Sequence, residues 1–395
     1  MDRPKVPADD TSSSWRQSFK LLMAAVAAAG LFGLGLYVGR NGHSAATNQL
    51  DYSSVNQVYS LLKNDFDGSL DTSKLNDGLK SGLVAATGDP YTVYFNPKDA
   101  ATFNEQLTGS FTGIGAELGT DAKNNIVIVA PLAGSPAEAA GLKASDEIAK
   151  VDGQSTAGLA IDQVVSKIRG AAGSKVSLTI VRAGGQPFDV TITRTQINVP
   201  SVKSQIDGLV GYLKISQFGP DTTKLAQAAA DDFKAKGVKA VVVDLRGDPG
   251  GYLDSAVAVA SFWLDRGQTV VSERRGDTVI NSLTANGNNL LHGLPTAVLI
   301  DGGSASEILA GALHDNHVAQ TVGAKSFGKG SVQQVENLSG GGELKVTVAR
   351  WYTPAGKNID KQGITPDTIV ETAATAGGPD PQKDKAYLLV QAQIH

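Results

Sequence analysis

The stretch "DGGSASEILAGALHDNH", residues 301–317, sets Ser304 and Ser306 in a glycine-rich turn, follows them with an apolar helical pattern, and ends on His314 and His317. A serine at a helix N-terminus can act as a nucleophile, because the turn exposes its Oγ and the helix dipole favours developing negative charge. The same position suits a serine that only caps the helix. A base within reach is therefore the deciding element. At 1.5 Å of rise per residue, His314 lies about 15 Å along the axis from Ser304, ten residues earlier, whereas proton transfer needs about 3 Å. His317 is farther, His292 precedes the strand leading to the serines, and His43 and His395 are near the chain ends. The two helix histidines are expected to be surface residues.

A different base is available in "VGAKSFGKGSVQQVENL", where Lys329 stands between Gly328 and Gly330 at a turn with a strand beyond. Desolvation can lower a lysine amine toward neutrality and make it a proton acceptor. Gly323, Gly328 and Lys329 also have the GxxxxGK spacing of a phosphate-binding loop. That loop requires Ser or Thr after the lysine and a helix beyond; here Gly330 and a strand-like segment follow, so nucleotide binding is set aside. A second glycine turn, "DLRGDPGGYLD", can point bare backbone N–H groups into a cleft.

The elements that position these turns are legible in the hydrophobic patterning. The runs "AVVVDL" and "TAVLI" read as strands buried on both faces of a helix-covered sheet, and each leads directly into one of the glycine turns. From Gly208 onward strands alternate with amphipathic helices, which predicts an α/β core with catalysis at the carboxyl ends of its strands. Residues 109–194 differ: "IVIVAPL", "DEIAKVDG", "KVSLTIVR" and "PFDVTITR" are short β-branched runs between turns, with helical patterns at "PAEAAGL" and "AIDQVVSKIRG". From Leu50 to Leu83 apolar residues recur at helical spacing with a break near Asp65–Asp71, predicting two helices ahead of "GDPYTVYFNP", read as a proline-rich turn.

Composition narrows the classes. Of 395 residues, 41% are hydrophobic and 45 are glycine, consistent with two or three folded, loop-rich units. A net charge of -4 without a long basic run gives no footprint for nucleic acid. With no cysteine, disulfides, thiolate metal sites and a cysteine nucleophile are excluded. Five scattered histidines make no metal site, so neither metal nor organic cofactor is expected. Residues 21–39, "LLMAAVAAAGLFGLGLYVG", are uncharged and nearly match a hydrocarbon core of about 30 Å. Arg16 and Lys20 precede this run, which places the N-terminus in the cytoplasm and the rest of the chain outside the cell membrane. A cleavable signal peptide ending near Ser44–Ala46 is the alternative, but its apolar region would be only roughly 7 to 15 residues.

The order of elements in residues 109–194, with "GIGAEL" before a strand and "GSPAEAAGLKASDEIAKVDG" after it, resembles a PDZ domain. In that family a peptide adds as an extra strand, its terminal carboxylate held by backbone N–H groups of a glycine-containing loop. The resemblance puts that loop at Thr112, Gly113, Ile114 and Gly115. Taken together and in order, "GSFTGIGAEL", "DLRGDPGG", "SASEILAGALHD", "SFGKGSVQ" and "YTPAGKNIDKQGITPD" resemble the C-terminal processing peptidases, or tail-specific proteases, over residues 50–370. The resemblance implies a serine nucleophile with a lysine base and a glutamine that positions the lysine: Ser304, Lys329 and Gln333. It puts the oxyanion hole on the N–H of Ala305 and on Gly250 or Gly251.

The serine turn is two residues shorter than is common in that family, so counting forward from Gly303 selects Ser306 instead. Counting back from the helix start selects Ser304, 25 residues before Lys329. The expected organisation is a mixed α/β (α+β) chain: a cytoplasmic N-terminus (1–20), a transmembrane anchor (21–39), a linker and N-terminal helices (40–108), a PDZ-like module (109–194), an α/β serine protease core (195–375) and a C-terminal helix or tail (376–395). The expected partners are protein or peptide C-termini and the cytoplasmic membrane, and a homo-oligomer is compatible with this organisation. The rival expectation is a catalytically inactive PDZ-containing scaffold, which the short serine turn favours.

Overall fold

The computed structural model describes residues 50–303, 306–371 and 378–394. The apolar run 21–39 lies outside them; among the described residues no helix is long and apolar enough to cross a membrane. The chain divides into two compact units, residues 1–75 and 76–395. In the first, α1 (Tyr52–Asp65) is capped by Asp51, whose carboxylate accepts the Ser53 N–H at 2.9 Å. None of its residues is buried. Helix α2 (Thr72–Ala85) begins in the first unit and ends in the second, and it too buries none of its residues.

The segment read as a proline-rich turn instead holds β1 (Val93–Phe95) and leads into α3 (Pro97–Thr108). Asn96 caps α3 by accepting the N–H groups of Lys98 and Asp99, both at 3.0 Å. Pro97 occupies the first turn, where its missing N–H costs nothing. The second helix ends before this segment, at Ala85, as expected, and the segment's last proline starts the next helix.

The β-rich module follows as β2 (Ser110–Gly113), β3 (Ala116–Thr120), β4 (Ile126–Pro131), α4 (Pro136–Ala139), β5 (Glu147–Val151), β6 (Gln154–Ser155), α5 (Ile161–Ile168), β7 (Lys175–Val181), β8 (Phe188–Thr193) and β9 (Thr195–Asn198). Its sheet runs β3-β4-β5-β7-β8 with β6 on β5, while β2 pairs with β9 where the chain enters and leaves. Ile128, Ile148, Leu178 and Ile180 fill its core together with Val164 of α5. Strand β3 is at a sheet edge, with α5 packed on it.

The core comprises β10 (Val202–Asp207), β11 (Val210–Ile215), α6 (Thr222–Ala235), β12 (Ala240–Asp244), α7 (Leu253–Ala260), β13 (Thr269–Arg275), β14 (Thr278–Thr284), β15 (Thr296–Ile300), α8 (Glu307–Asp315), β16 (Gln320–Gly323), β17 (Ser331–Asn337), β18 (Glu343–Tyr352), β19 (Thr368–Ile369) and α9 (Pro381–Gln391). Its main sheet runs β10-β11-β12-β15-β16-β19, parallel from β11 onward. Every residue of β12 and β15 is buried, as the continuous apolar runs predict. One face carries the cluster that includes Phe233, Val259 and Leu309 of α6, α7 and α8; the other meets Ala386 and Val390 of α9. A second sheet, β1-β18-β13-β14 with β17 on β18, brings the Lys329 strand to the core.

Candidate active site

Three loops converge on one cleft of about 1260 Å³, lined by Gly250 and Gly251 after β12, by Ser306 after β15, and by Lys329 and Gln333 at the start of β17. Asp301 ties the first two loops together, since its Oδ1 accepts the N–H groups of Gly247 and Gly303, both at 3.0 Å. Ser304 and Ala305 lie outside the described residues. Ser306 stands at the N-cap of α8, 4% exposed, but its Oγ makes no capping bond or other hydrogen bond.

Lys329 is held by its backbone and left free at its amine. The Trp351 indole N–H donates to the Lys329 carbonyl at 2.7 Å, and Gly328 donates its N–H to Glu307 Oε1 at 2.6 Å. Glycine is needed at 328 because φ is +91° and a Cβ would lie 2.7 Å from the Gly363 nitrogen. Among the described residues Lys329 Nζ makes no hydrogen bond or ion pair. Burial pulls the amine below its ordinary range, the Lys345 ammonium adds to this, and the buried Glu307 carboxyl opposes it. That is the environment a lysine base requires.

The Gly250–Gly251 turn meets the chain after β11: the Phe218 N–H donates to the Gly250 carbonyl at 2.9 Å, and the Tyr252 N–H to the Phe218 carbonyl at 2.8 Å. At Gly251, φ is +147° and a Cβ would lie 2.2 Å from the Phe218 oxygen. The Gly250 N–H is already engaged, donating to Asp248 Oδ1 at 2.7 Å. Gln333 Nε2 donates to Ser331 Oγ at 2.8 Å and to Thr347 Oγ1 at 3.4 Å rather than meeting Lys329. Its amide oxygen makes no bond among the described residues.

Of the expected carboxylate loop, Thr112 and Gly113 end β2, paired with Gln196 and Thr195. Ile114 is buried, and the Gly115 carbonyl accepts the Leu132 N–H and the Ser135 hydroxyl. His314 is less exposed to solvent contacts than a free surface residue: Asp315 lies 2.9 Å from its Nδ1 and Asp367 3.2 Å from its Nε2. It is clamped, and stays remote from the cleft lining. Sequence reasoning missed Asp248, Glu307, Lys345 and Arg169, the last reaching the cleft from the end of α5 and paired with Glu105 at 3.0 Å. The only signal for the first two was their position inside the glycine and serine motifs; the others depend on tertiary contacts.

Residues 209–370 match the model of Peptidase family S41 and residues 101–181 that of the PDZ domain. The chain is similar to the carboxy-terminal processing protease CtpA of Bacillus subtilis (strain 168), 35% identical over 377 residues that cover 93% of this chain and 80% of that protein. It is likewise similar to a probable CtpA-like serine protease of Staphylococcus aureus (strain COL), 36% identical over 92% of this chain and 75% of that one. Among solved structures, a photosystem II D1 C-terminal processing protease matches 82% of this chain and 87% of its own at 30% identity and a TM-score of 0.50. With one family model on the sheet that carries the cleft, the other on the β-rich module, and relatives matched along most of their length, the chain belongs to peptidase family S41 and is a serine-type C-terminal processing protease with a PDZ domain.

Proposed function

We propose that this protease is a membrane-anchored endopeptidase that captures protein C-termini through its PDZ domain and cuts by a Ser304/Lys329 dyad. Lys329 Nζ takes the Ser304 hydroxyl proton as Oγ attacks the scissile carbonyl. The tetrahedral oxyanion is met by the N–H of Ala305 and by the Gly250–Gly251 turn. Collapse breaks the C–N bond, the leaving amine takes the proton back from Lys329, and an acyl-enzyme remains. Lys329 then deprotonates a water that hydrolyses the ester. In this reading Gln333, whose Nε2 holds Ser331 and Thr347, turns its open amide oxygen to Lys329 Nζ when the site is engaged, a bond not made among the described residues.

The observation that carries this reading is the buried amine of Lys329, unpaired among the described residues, in the cleft that Gly250, Gly251 and Ser306 also line. Peptide capture at Thr112–Gly115 is supported by the edge strand β3 beside α5, an arrangement suited to strand addition. Anchoring rests on the apolar run 21–39 and the Arg16 and Lys20 ahead of it, and puts the protease outside the cytoplasm. The full chain should cleave an unfolded protein, and Ser304→Ala and Lys329→Ala should each lose at least about a hundredfold in kcat/KM. Cleavage by Lys329→Ala at the wild-type rate would remove the dyad. N-terminal sequencing of the mature protein tests the anchor, whose retention predicts a start upstream of residue 21.

A further inference from the structure

The mechanism above leaves Asp248 unused, although its carboxyl bonds the oxyanion turn directly. Asp248 is fully buried; Oδ1 accepts the Gly250 N–H at 2.7 Å, and Oδ2 has no hydrogen-bond partner. Beside it lies Ser306 Oγ, also buried and also without a partner. A carboxylate only accepts hydrogen bonds, so a buried and unmatched Oδ2 is costly. The pair can be joined in either protonation state: a neutral Asp248 donates from Oδ2 to Ser306 Oγ, whereas an ionised one accepts the Ser306 hydroxyl, which favours the charged form. The surrounding charges oppose one another, Lys214 favouring the ionised form, and burial decides between them. Glu307 at the start of α8 repels a charge here. Lys214 of β11 is occupied by Asp244 Oδ1, at 3.1 Å, and by the Arg246 carbonyl. The Asp301 carboxylate is occupied by Gly247 and Gly303.

We propose that Asp248 is a positioning residue for the oxyanion turn. Neutral, with its proton toward Ser306, it leaves the Gly250 N–H exchangeable to the tetrahedral oxyanion; ionised, it holds that N–H and repels the oxyanion. A charge-assisted bond is roughly twice as strong as a neutral one, which makes the two states differ in their hold on Gly250. Burial, opposed by the Gly250 N–H, pushes the Asp248 carboxyl up to about 7, which places the change near neutrality.

This inference rests on the Ser304/Lys329 reading, and kcat/KM profiles of the full chain between about pH 5.5 and 9 separate the two. The ratio of wild-type to Asp248→Asn kcat/KM should fall as pH rises through a midpoint near 7, whatever limb Lys329 adds to both. Asp248→Asn, which cannot ionise, should keep the acid limb set by Lys329. A ratio that stays flat across neutrality, alongside inactive Lys329→Ala, overturns the role of Asp248 alone. An active Lys329→Ala overturns the dyad instead.

Should Asp248→Asn not fold, the wild-type protein supplies the readout. Pro249–Gly250 is the only Pro–Gly pair in the sequence, so 13C-carbonyl proline with 15N-glycine isolates the Gly250 amide in an NMR titration. Its shift should move with a midpoint near 7. A flat shift across neutrality overturns the proposal.

Discussion

In the proposed dyad, chemistry depends on where the Lys329 proton is. Burial and the like charge of Lys345 both favour the neutral amine, and a base must be neutral to accept the serine proton. The rate should therefore rise with pH through the lowered Lys329 range and fall on the acid side. Removing the Lys345 charge removes one of the two causes, so Lys345→Gln should move the acid limb of kcat/KM to higher pH. A limb that stays in place would show that burial alone sets the amine. Lys329→Arg should be inactive across the range, because a guanidinium does not deprotonate in proteins. At this scale the sequence was informative about residue types: the lysine between glycines stood out, and the helix rise removed the histidines. Asp248 was passed over although an aspartate two residues before a glycine N–H is a local turn signal; its complete burial, which depends on tertiary packing, was not legible.

At the scale of elements, α8 does more than present a serine turn. Glu307 in its first turn is buried and accepts from the Gly328 N–H and from Ser326 Oγ, so it holds the Lys329 loop at the helix start. Glu307→Ala should let the loop drift and cost on the order of a hundredfold in kcat/KM. Glu307→Gln, which keeps an acceptor, should lose less. The far end of α8 carries the His314 clamp. Burial lowers the His314 pKa, but Asp315 and then Asp367 outweigh it, and the net shift is upward from 6.5. A raised folded-state pKa contributes stability that is present below about 6.5 and lost as pH rises through the folded value. His314→Ala should thus lower the melting temperature more at pH 6 than at pH 9. The buried strands were legible because every residue of β12 and β15 is apolar apart from Thr296 and Asp244. Strand β1 was not, since three residues cannot announce a pairing with Glu343–Lys345 some 250 positions later.

Across the molecule, the second glycine motif also locks the C-terminus to the catalytic sheet. The Arg246 guanidinium bonds Asp244 at 2.6 Å and Asp380 at 2.8 Å, and reaches Gln382 at 3.1 Å, joining the end of β12 to the start of α9. Against its burial, Arg246, Lys214 and the Tyr212 hydroxyl hold the Asp244 carboxyl down at about 2. Arg246→Ala leaves that carboxylate with Lys214, Tyr212 and the backbone N–H of residue 246, and should cost about 1.5 to 3 kcal/mol in urea unfolding. The order of helices, PDZ module and core was legible in the patterning and motifs, but the way distant segments meet around the cleft was not. The most direct test of the dyad is to label the full chain with a serine-reactive fluorophosphonate and locate the adduct by tandem mass spectrometry, with Lys329→Ala in parallel. The account predicts modification of Ser304 in wild type and its loss in Lys329→Ala. An adduct on Ser306, or equal labelling of Lys329→Ala, would contradict it.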